Sequence, residues 1–582
     1  MHRFGFALAL ILAVLGVMPA RADIASDCAE WRKTHGPGTA LPTVCLAEKD
    51  ALTPPKFERI GATSRALRLD DQDIQTYFDQ GLRFYYAFNA REAYRAFRWA
   101  ASLGESRNKR CGYCYWGIAA ALTVGPGSFL PPEPDRRAAR DALNAAKAIF
   151  KPEQKQALGL VEALFVRTED CKPFERCHEK RANDYYAFTK TLWSTNQHDA
   201  EITVLYVDAI LGLPTQARLA EGRNALKTAM DAPFNETHTG LWHWNVLFNE
   251  VAGTPKEAEA IADRLRGMAP DAGQMQHTPS HVYYMLGQMD KALAANDAAV
   301  VADEKYFNDK GNPIDHPDGD LYRYESYPHE LHFLIASALM RGNKGTLDLA
   351  AKHLLAAPPK NPGGYRQDFF RAMYYLGRTP LATKQEVRDF QKPEPLPQHP
   401  LANIAYYYAL SRADFWDGKT ESPFLKQLDA AVNAYPHKKK CPDEYNDFQT
   451  EPCLVQIMSN LAHAYQLAAV KNWRQAWSKA QAAAEIQKRI RDGLPGVWYL
   501  PVNQTLASFY IQAALGESKP QQVYLKKAQE LLRTSLDLKP GNGWAYFGLW
   551  QVAKHIDGGN PQDAEKAFRA HWLGDPPALD HM

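Results

Sequence analysis

Two consecutive stretches of this chain each place small, aromatic or proline residues at positions of one 34-residue pattern. With position 1 at Thr239, Trp242, Ala258, Ala262 and Pro270 fall at positions 4, 20, 24 and 32. The next stretch begins 34 residues on, at Gly273, with Ser280, Tyr283, Ala292 and Ala299 at positions 8, 11, 20 and 27. That period, with apolar residues recurring at three and four, describes two helices joined by a turn. Such a unit cannot bury its apolar face alone and stacks on copies of itself, so the repeat predicts an all-α chain whose units follow one another in a row.

Further copies extend the pattern. Position 1 at Ile74 puts Tyr77, Gly81 and Phe84 at positions 4, 8 and 11, and Ala93, Phe97 and Ala100 at 20, 24 and 27. Another unit starts at Pro328, and weaker ones cover 458–488, 509–540 and 543–572. Hardly any stretch alternates with the two-residue period of a strand. The period marks the tetratricopeptide (TPR) class, and the expected architecture is an all-α, right-handed TPR-like helical solenoid with a concave groove. The organisation read from the sequence is a signal peptide at 1–22, an irregular arm at 23–72 and helical repeats at 73–238. Histidine-bearing repeats follow at 239–360 with an inserted loop at 303–327, then C-terminal repeats at 361–582. The insertion, rich in Asp, Asn, Gly, Pro and Tyr, is a candidate lid, and 393–400 reads as a connector.

The histidines carry the chemistry. At 100° per residue, positions 2, 5 and 9 of the first helix of each unit share an arc roughly 140° from the packed one, and in a solenoid that arc lines the groove. His243, His277 and His332 all occupy position 5 of successive units, with His281 at position 9, His329 at position 2, and His238 just ahead of the first helix. Other units hold Phe78, Leu461 or Ala513 at position 5, so the pattern is local. His277 and His281 are four apart and His329 and His332 three apart, spacings that set two rings on one helix face within reach of one ion. The six histidines are therefore the expected metal ligands. An all-imidazole set suits copper, zinc, iron or nickel, whereas Mg²⁺ and Ca²⁺ need carboxylates. Glu236, Asp303, Glu304, Glu325 and Glu330 flank these motifs as candidates to fix a ligating ring.

The chain also resembles a bacterial group of exported TPR proteins. The matching residues are Tyr77-Phe78-Asp79-Gln80-Gly81-Leu82 with Tyr86-Ala87-Phe88-Asn89, then Trp116-Gly117 and His277-Thr278-Pro279-Ser280-His281. Tyr327-Pro328-His329-Glu330-Leu331-His332-Phe333-Leu334, Gly541-Asn542-Gly543-Trp544 and Phe547-Gly548-Leu549 complete the set. The resemblance spans most of the chain after the leader and implies a TPR fold and an exported location, without a general activity. Gln274 and Leu247 stand where the family tends to carry His.

Composition narrows the classes that remain. With 46% hydrophobic and 23% charged residues and no low-complexity tract, the chain suits a packed globular protein and not a disordered one. His2 and Arg3, the apolar run 4–17 and Ala20-Arg21-Ala22 read as a cleaved secretory leader, which places the mature protein in the periplasm or outside the cell. No other stretch has the 18 or more apolar residues of a membrane span. The 68 basic residues include Arg3 and Arg21 of the leader, and the remainder balances the 66 acidic ones. With Lys438-Lys439-Lys440 as the densest basic run, nucleic acid is not an expected partner. The eight cysteines pair along the sequence as Cys28/Cys45, Cys111/Cys114, Cys171/Cys177 and Cys441/Cys453, which reads as local disulfides in an oxidising compartment, other connectivities staying open. Cys111-Gly112-Tyr113-Cys114 has redox-motif spacing but no surrounding βαβ pattern.

Two functions follow. The first is a metalloprotein, copper favoured, then iron or zinc, that handles a small molecule or peptide in the groove and, if an enzyme, is a metal-dependent oxidoreductase. The second is a peptide-binding or protein-binding scaffold without metal, the commonest role of the repeat. The chain has no HExxH, GxSxG, Walker or GxGxxG motif, so hydrolase and nucleotide-binding readings lose ground.

Overall fold

A computed structural model describes residues 21–35, 41–47, 53–124, 131–169, 174–309, 322–356, 365–393, 399–435, 441, 451–490 and 494–582. The segment read as a leader (apart from its last two residues), Cys171 and most of the stretch read as a connector at 393–400 lie outside them. All regular secondary structure among the described residues is helical, with no strand. No helix among them is long and apolar enough to cross a membrane. The chain divides into two compact units, Met1–Val282 with Ala298–Ser326, and Tyr283–Asp297 with Tyr327–Met582.

The helices that matter below are labelled in chain order: α1 (Gln72–Tyr86), α2 (Ala90–Ser106), α3 (Gly112–Leu122), α4 (Ala200–Gly212), α5 (Thr239–Val251), α6 (Pro255–Met268), α7 (Gly273–His277), α8 (Pro279–Met285), α9 (Met289–Asp309), α10 (Tyr327–Arg341) and α11 (Tyr365–Arg378). The units beginning at Ile74 and Thr239 each fall on two consecutive helices, α1 with α2 and α5 with α6, whereas the unit beginning at Gly273 has its first helix divided into α7 and α8 ahead of α9. Local chemistry sets their starts. Asp71 accepts from the Ile74 amide to open α1, Asn89 accepts from Glu92 to open α2, and Pro255 stands in the first turn of α6.

In the first unit the small residues of the pattern admit a large one. The Phe97 ring of α2 lies between Gly81 of α1 and Gly117 of α3, where an added Cβ would come within 2.6 and 2.4 Å of the ring. Phe97 is fully buried, so the ring has no open space to turn into. Gly117→Ala therefore costs about 1–3 kcal/mol by overpacking. A lowered urea midpoint is the expected result, and an unchanged one would mean that the ring can yield.

The N-terminal arm is more ordered than its composition suggests. Two short helices, Arg21–His35 and Thr43–Ala47, are joined by the Cys28–Cys45 disulfide. The buried Asp135 carboxylate accepts the Thr43 and Val44 amides at 2.9 Å each, although burial pushes that carboxyl up to about 7. From Pro55 to Leu67 the chain runs without helix or strand, and side chains of α1 satisfy its backbone. Gln80 accepts the Phe57 amide at 3.0 Å and donates to the Pro55 carbonyl at 2.9 Å, and Gln75 does the same for Leu67 and Arg65 at the same distances. Arg83 donates to the Thr63 carbonyl at 3.0 Å, and the Thr63 and Thr239 hydroxyls meet at 2.7 Å. The Arg65 guanidinium is buried against Asp199 and Glu201 of the α4 entry and lies over the Tyr113 ring.

Cys111–Cys114 is a buried disulfide, with the Cys111 sulfur accepting the Cys114 amide at the start of α3. Cys441–Cys453 forms as expected. The expected loop at 303–327 begins later than its composition implies. Residues through Asp309 continue α9, residues 310–321 lie outside the described set, and Tyr322–Ser326 form a single π-helical turn. Asp303 stays helical because it is buried, taking the Tyr322 hydroxyl at 2.6 Å and packing over Gly273.

In the second unit α10 packs beside α11, and the last residues fold back on neighbouring helices. His581 stacks on Trp416 at 3.8 Å, and Ser508 and Tyr465 donate to the Leu579 and Met582 carbonyls at 2.7 and 2.9 Å.

Candidate metal centre

The segment between α6 and α9 brings two histidines together. Gly273 opens α7 where Asp303 leaves no space for a side chain, and Pro279 interrupts the helix between α7 and α8. The Thr278 amide still bonds the Gln274 carbonyl at 3.0 Å, so His277 and His281 keep helical spacing across the break. Their Nε2 atoms stand 2.9 Å apart, with the rings nearly perpendicular. Both are buried, at 0% and 8% exposure. Within the first unit these two ring nitrogens make a metal-capable group, close enough for one ion to take both.

The other ring nitrogen of His281 has a defined partner. Nδ1 is 2.7 Å from Glu250 Oε2, and since a carboxylate only accepts, Nδ1 carries the hydrogen. Nε2 of the neutral ring then presents its lone pair toward His277. Such a carboxylate-backed imidazole is the arrangement found behind many metal-ligating histidines.

Two more of the expected ligands have both nitrogens committed to protein groups. His243 Nδ1 donates to the Tyr86 carbonyl at 2.7 Å, and its Nε2 accepts from the Thr278 hydroxyl at 2.9 Å. Burial, opposed by the Tyr86 hydrogen bond, lowers the His243 pKa to about 4, so the ring is neutral at pH 7. His238 Nδ1 accepts the Leu241 amide at 3.2 Å as the cap of α5, and its Nε2 donates to Glu201 at 3.2 Å. Burial raises the Glu201 carboxyl, but Arg65 and then His238 outweigh it and bring it down to about 2. In the second unit His332 of α10 sits among Phe369, Phe370 and Tyr499 with centroids at 5.7, 6.3 and 5.1 Å. Its buried Nε2 has no hydrogen-bond partner among the described residues, and burial lowers its pKa to about 3. His329 lies edge-on to Phe333 at 5.4 Å.

Of the six expected ligands, the metal-capable group of the first unit thus takes in His277 and His281, His238 and His243 are placed in other contacts there, and His329 and His332 lie in the second unit. Among the expected flanking acids, Glu236 pairs with Arg264 and Asp303 takes Tyr322, whereas Glu250 was not singled out. A signal for it existed: Glu250 is seven residues after His243, two turns along the same face of α5. No protein-family model matches the chain, and no curated protein matches it.

Proposed function

We propose that the chain is an exported metalloprotein of the TPR class, a right-handed solenoid whose concave groove holds a transition-metal ion on His277, His281 and His329. The observation that carries this reading is the pair of buried rings of His277 and His281, whose Nε2 atoms stand 2.9 Å apart with Glu250 behind one of them. The donor set supports it, since neutral nitrogens without thiolate suit copper, iron or zinc, and copper is favoured by the oxidising compartment and its place in the affinity order. A bound ion would supply Lewis-acid or one-electron chemistry to a small molecule or peptide in the groove, and redox turnover is the favoured class if the protein is an enzyme. The protein residues hold and orient, and Glu250 and Thr278 keep the ligand segment in place.

The test is elemental analysis of untagged protein beside the His277→Ala/His281→Ala variant. About one equivalent of copper, iron or zinc, lost in the variant, is the expected result. Added ion at a thousandfold excess over Kd should stabilise wild type by about 4 kcal/mol and leave the variant unmoved. Metal-free protein that takes up no added ion would overturn the reading.

One observation favours the second reading, a peptide-binding scaffold. The α1 carboxamides hold Pro55–Leu67 through its main chain, much as a receptor holds an extended peptide. A scaffold melts at the same temperature with and without chelator.

A further inference from the structure

A histidine that binds a metal through one ring nitrogen has to be held by the other, because free rotation about χ1 and χ2 spreads the lone pair over many directions. In this chain one ring of the metal-capable group has that hold visible in the described contacts. His281 Nδ1 meets Glu250 Oε2 at 2.7 Å, and its Nε2 stands 2.9 Å from His277 Nε2. The contact is long-range in sequence, 31 residues apart, and joins α5 to α8. The Glu250 side chain is 24% exposed and that of His281 10%, so this hydrogen bond to a carboxylate is partly shielded from water.

Other contacts on α5 point to the same task. His243, two turns before Glu250, holds the Thr278 hydroxyl, the residue directly after His277. One face of α5 therefore supports the ligand segment twice, through the Thr278 hydroxyl beside His277 and at the His281 ring through Glu250. Asn249, the neighbour of Glu250, turns away to bond Asn245 and Thr254, which closes the end of the helix.

Resting on the metal reading above, we propose that Glu250 is the positioning residue of the site: its carboxylate fixes the Nδ1–H tautomer of His281 and aims Nε2 at the ion shared with His277. Glu250 touches neither the ion nor a substrate. By keeping Nδ1 as the hydrogen-bond donor it also raises the basicity of Nε2, which strengthens the metal–nitrogen bond.

The experiment titrates Zn(II), against a competing chelator, into the full-length protein and its Glu250→Ala, Glu250→Gln and His281→Ala variants, with Co(II) absorption as a geometric readout. Glu250→Ala should weaken Zn(II) binding by about 10–100-fold. Glu250→Gln should lose only about tenfold, at the lower end of that range, because the amide oxygen still accepts from Nδ1–H. The Co(II) bands of Glu250→Gln should resemble wild type, and those of Glu250→Ala should shift. A purely structural role would lower the melting temperature of the apo protein in Glu250→Ala without changing Zn(II) affinity or the Co(II) spectrum of the folded fraction, and that result overturns the proposal. If Glu250→Ala does not fold, equal Zn(II) affinity in Glu250→Gln and wild type overturns it as well. Failure of wild type to bind either ion is a different outcome, since it removes the metal reading itself.

Discussion

Arg65→Met lowers the stability of the N-terminal unit by about 3–5 kcal/mol at pH 7, the largest loss expected of a single substitution in this protein. The guanidinium is the cation that faces two buried carboxylates, Asp199 and Glu201, and Glu201 is in turn the partner of His238. Removing it leaves two acids in a site shielded from water, and one of them must take a proton to stay there. The arm loses its anchor in the same step, so hydrogen exchange at the Phe57 and Leu67 amides should rise toward the rate of an unstructured chain. Arg65→Lys keeps a charge but cannot reach both acids with a fixed fork, and falls between the two. A urea midpoint for Arg65→Met within about 1 kcal/mol of wild type would contradict this account.

The second large effect depends on pH. His332 is held neutral in its aromatic surroundings, with a pKa near 3 against 6.5 for an exposed histidine. Between those values the unfolded chain binds the proton and the folded one does not, so the stability present above pH 6.5 is lost as pH falls toward 3. At pH 4.5 the loss is about 2–3 kcal/mol from this residue. His332→Leu removes that slope and leaves an apolar side chain beside Phe369, Phe370 and Tyr499. The check is a set of urea curves from pH 7 to 4.5, in which the variant should lose less stability than wild type. If both lose the same, His332 is not the group that titrates. On the metal reading proposed above, the variant should also take up added ion as wild type does, since His332 is not one of the three proposed ligands.

Periodicity made the helices legible because it reports how each helix meets its neighbour in sequence, as the seat of Phe97 between Gly81 and Gly117 shows. It also placed His277 and His281 on one face, which the structure bears out as a 2.9 Å pair of nitrogens. It could not tell a ligand from a supporting residue. His243 shares the register of His277, yet its ring is taken by the carbonyl of Tyr86, 157 residues earlier. Nothing within one repeat announces a contact over that distance. Glu250 illustrates the opposite case, in which the signal was present in the helical spacing but lay outside the short motifs around each histidine. The arm was read as irregular, and its extended stretch is so; its order comes from the carboxamides of Gln75 and Gln80, which sequence patterns of apolar residues do not register.

The way the arm is held also bears on the order in which the chain can mature. Thr63 bonds Thr239, 176 residues further on, and Arg65 bonds Glu201, 136 further on. At about 5–20 residues per second, synthesis needs roughly 7–27 s to deliver Glu201 after the arm has emerged, and roughly 9–35 s to deliver Thr239. Until then Arg65 is a solvated cation on an undocked segment. Docking of the arm is thus a late event that reports completion of the helices through α5, and a chain truncated before Thr239 would carry its N-terminal segment only partly anchored.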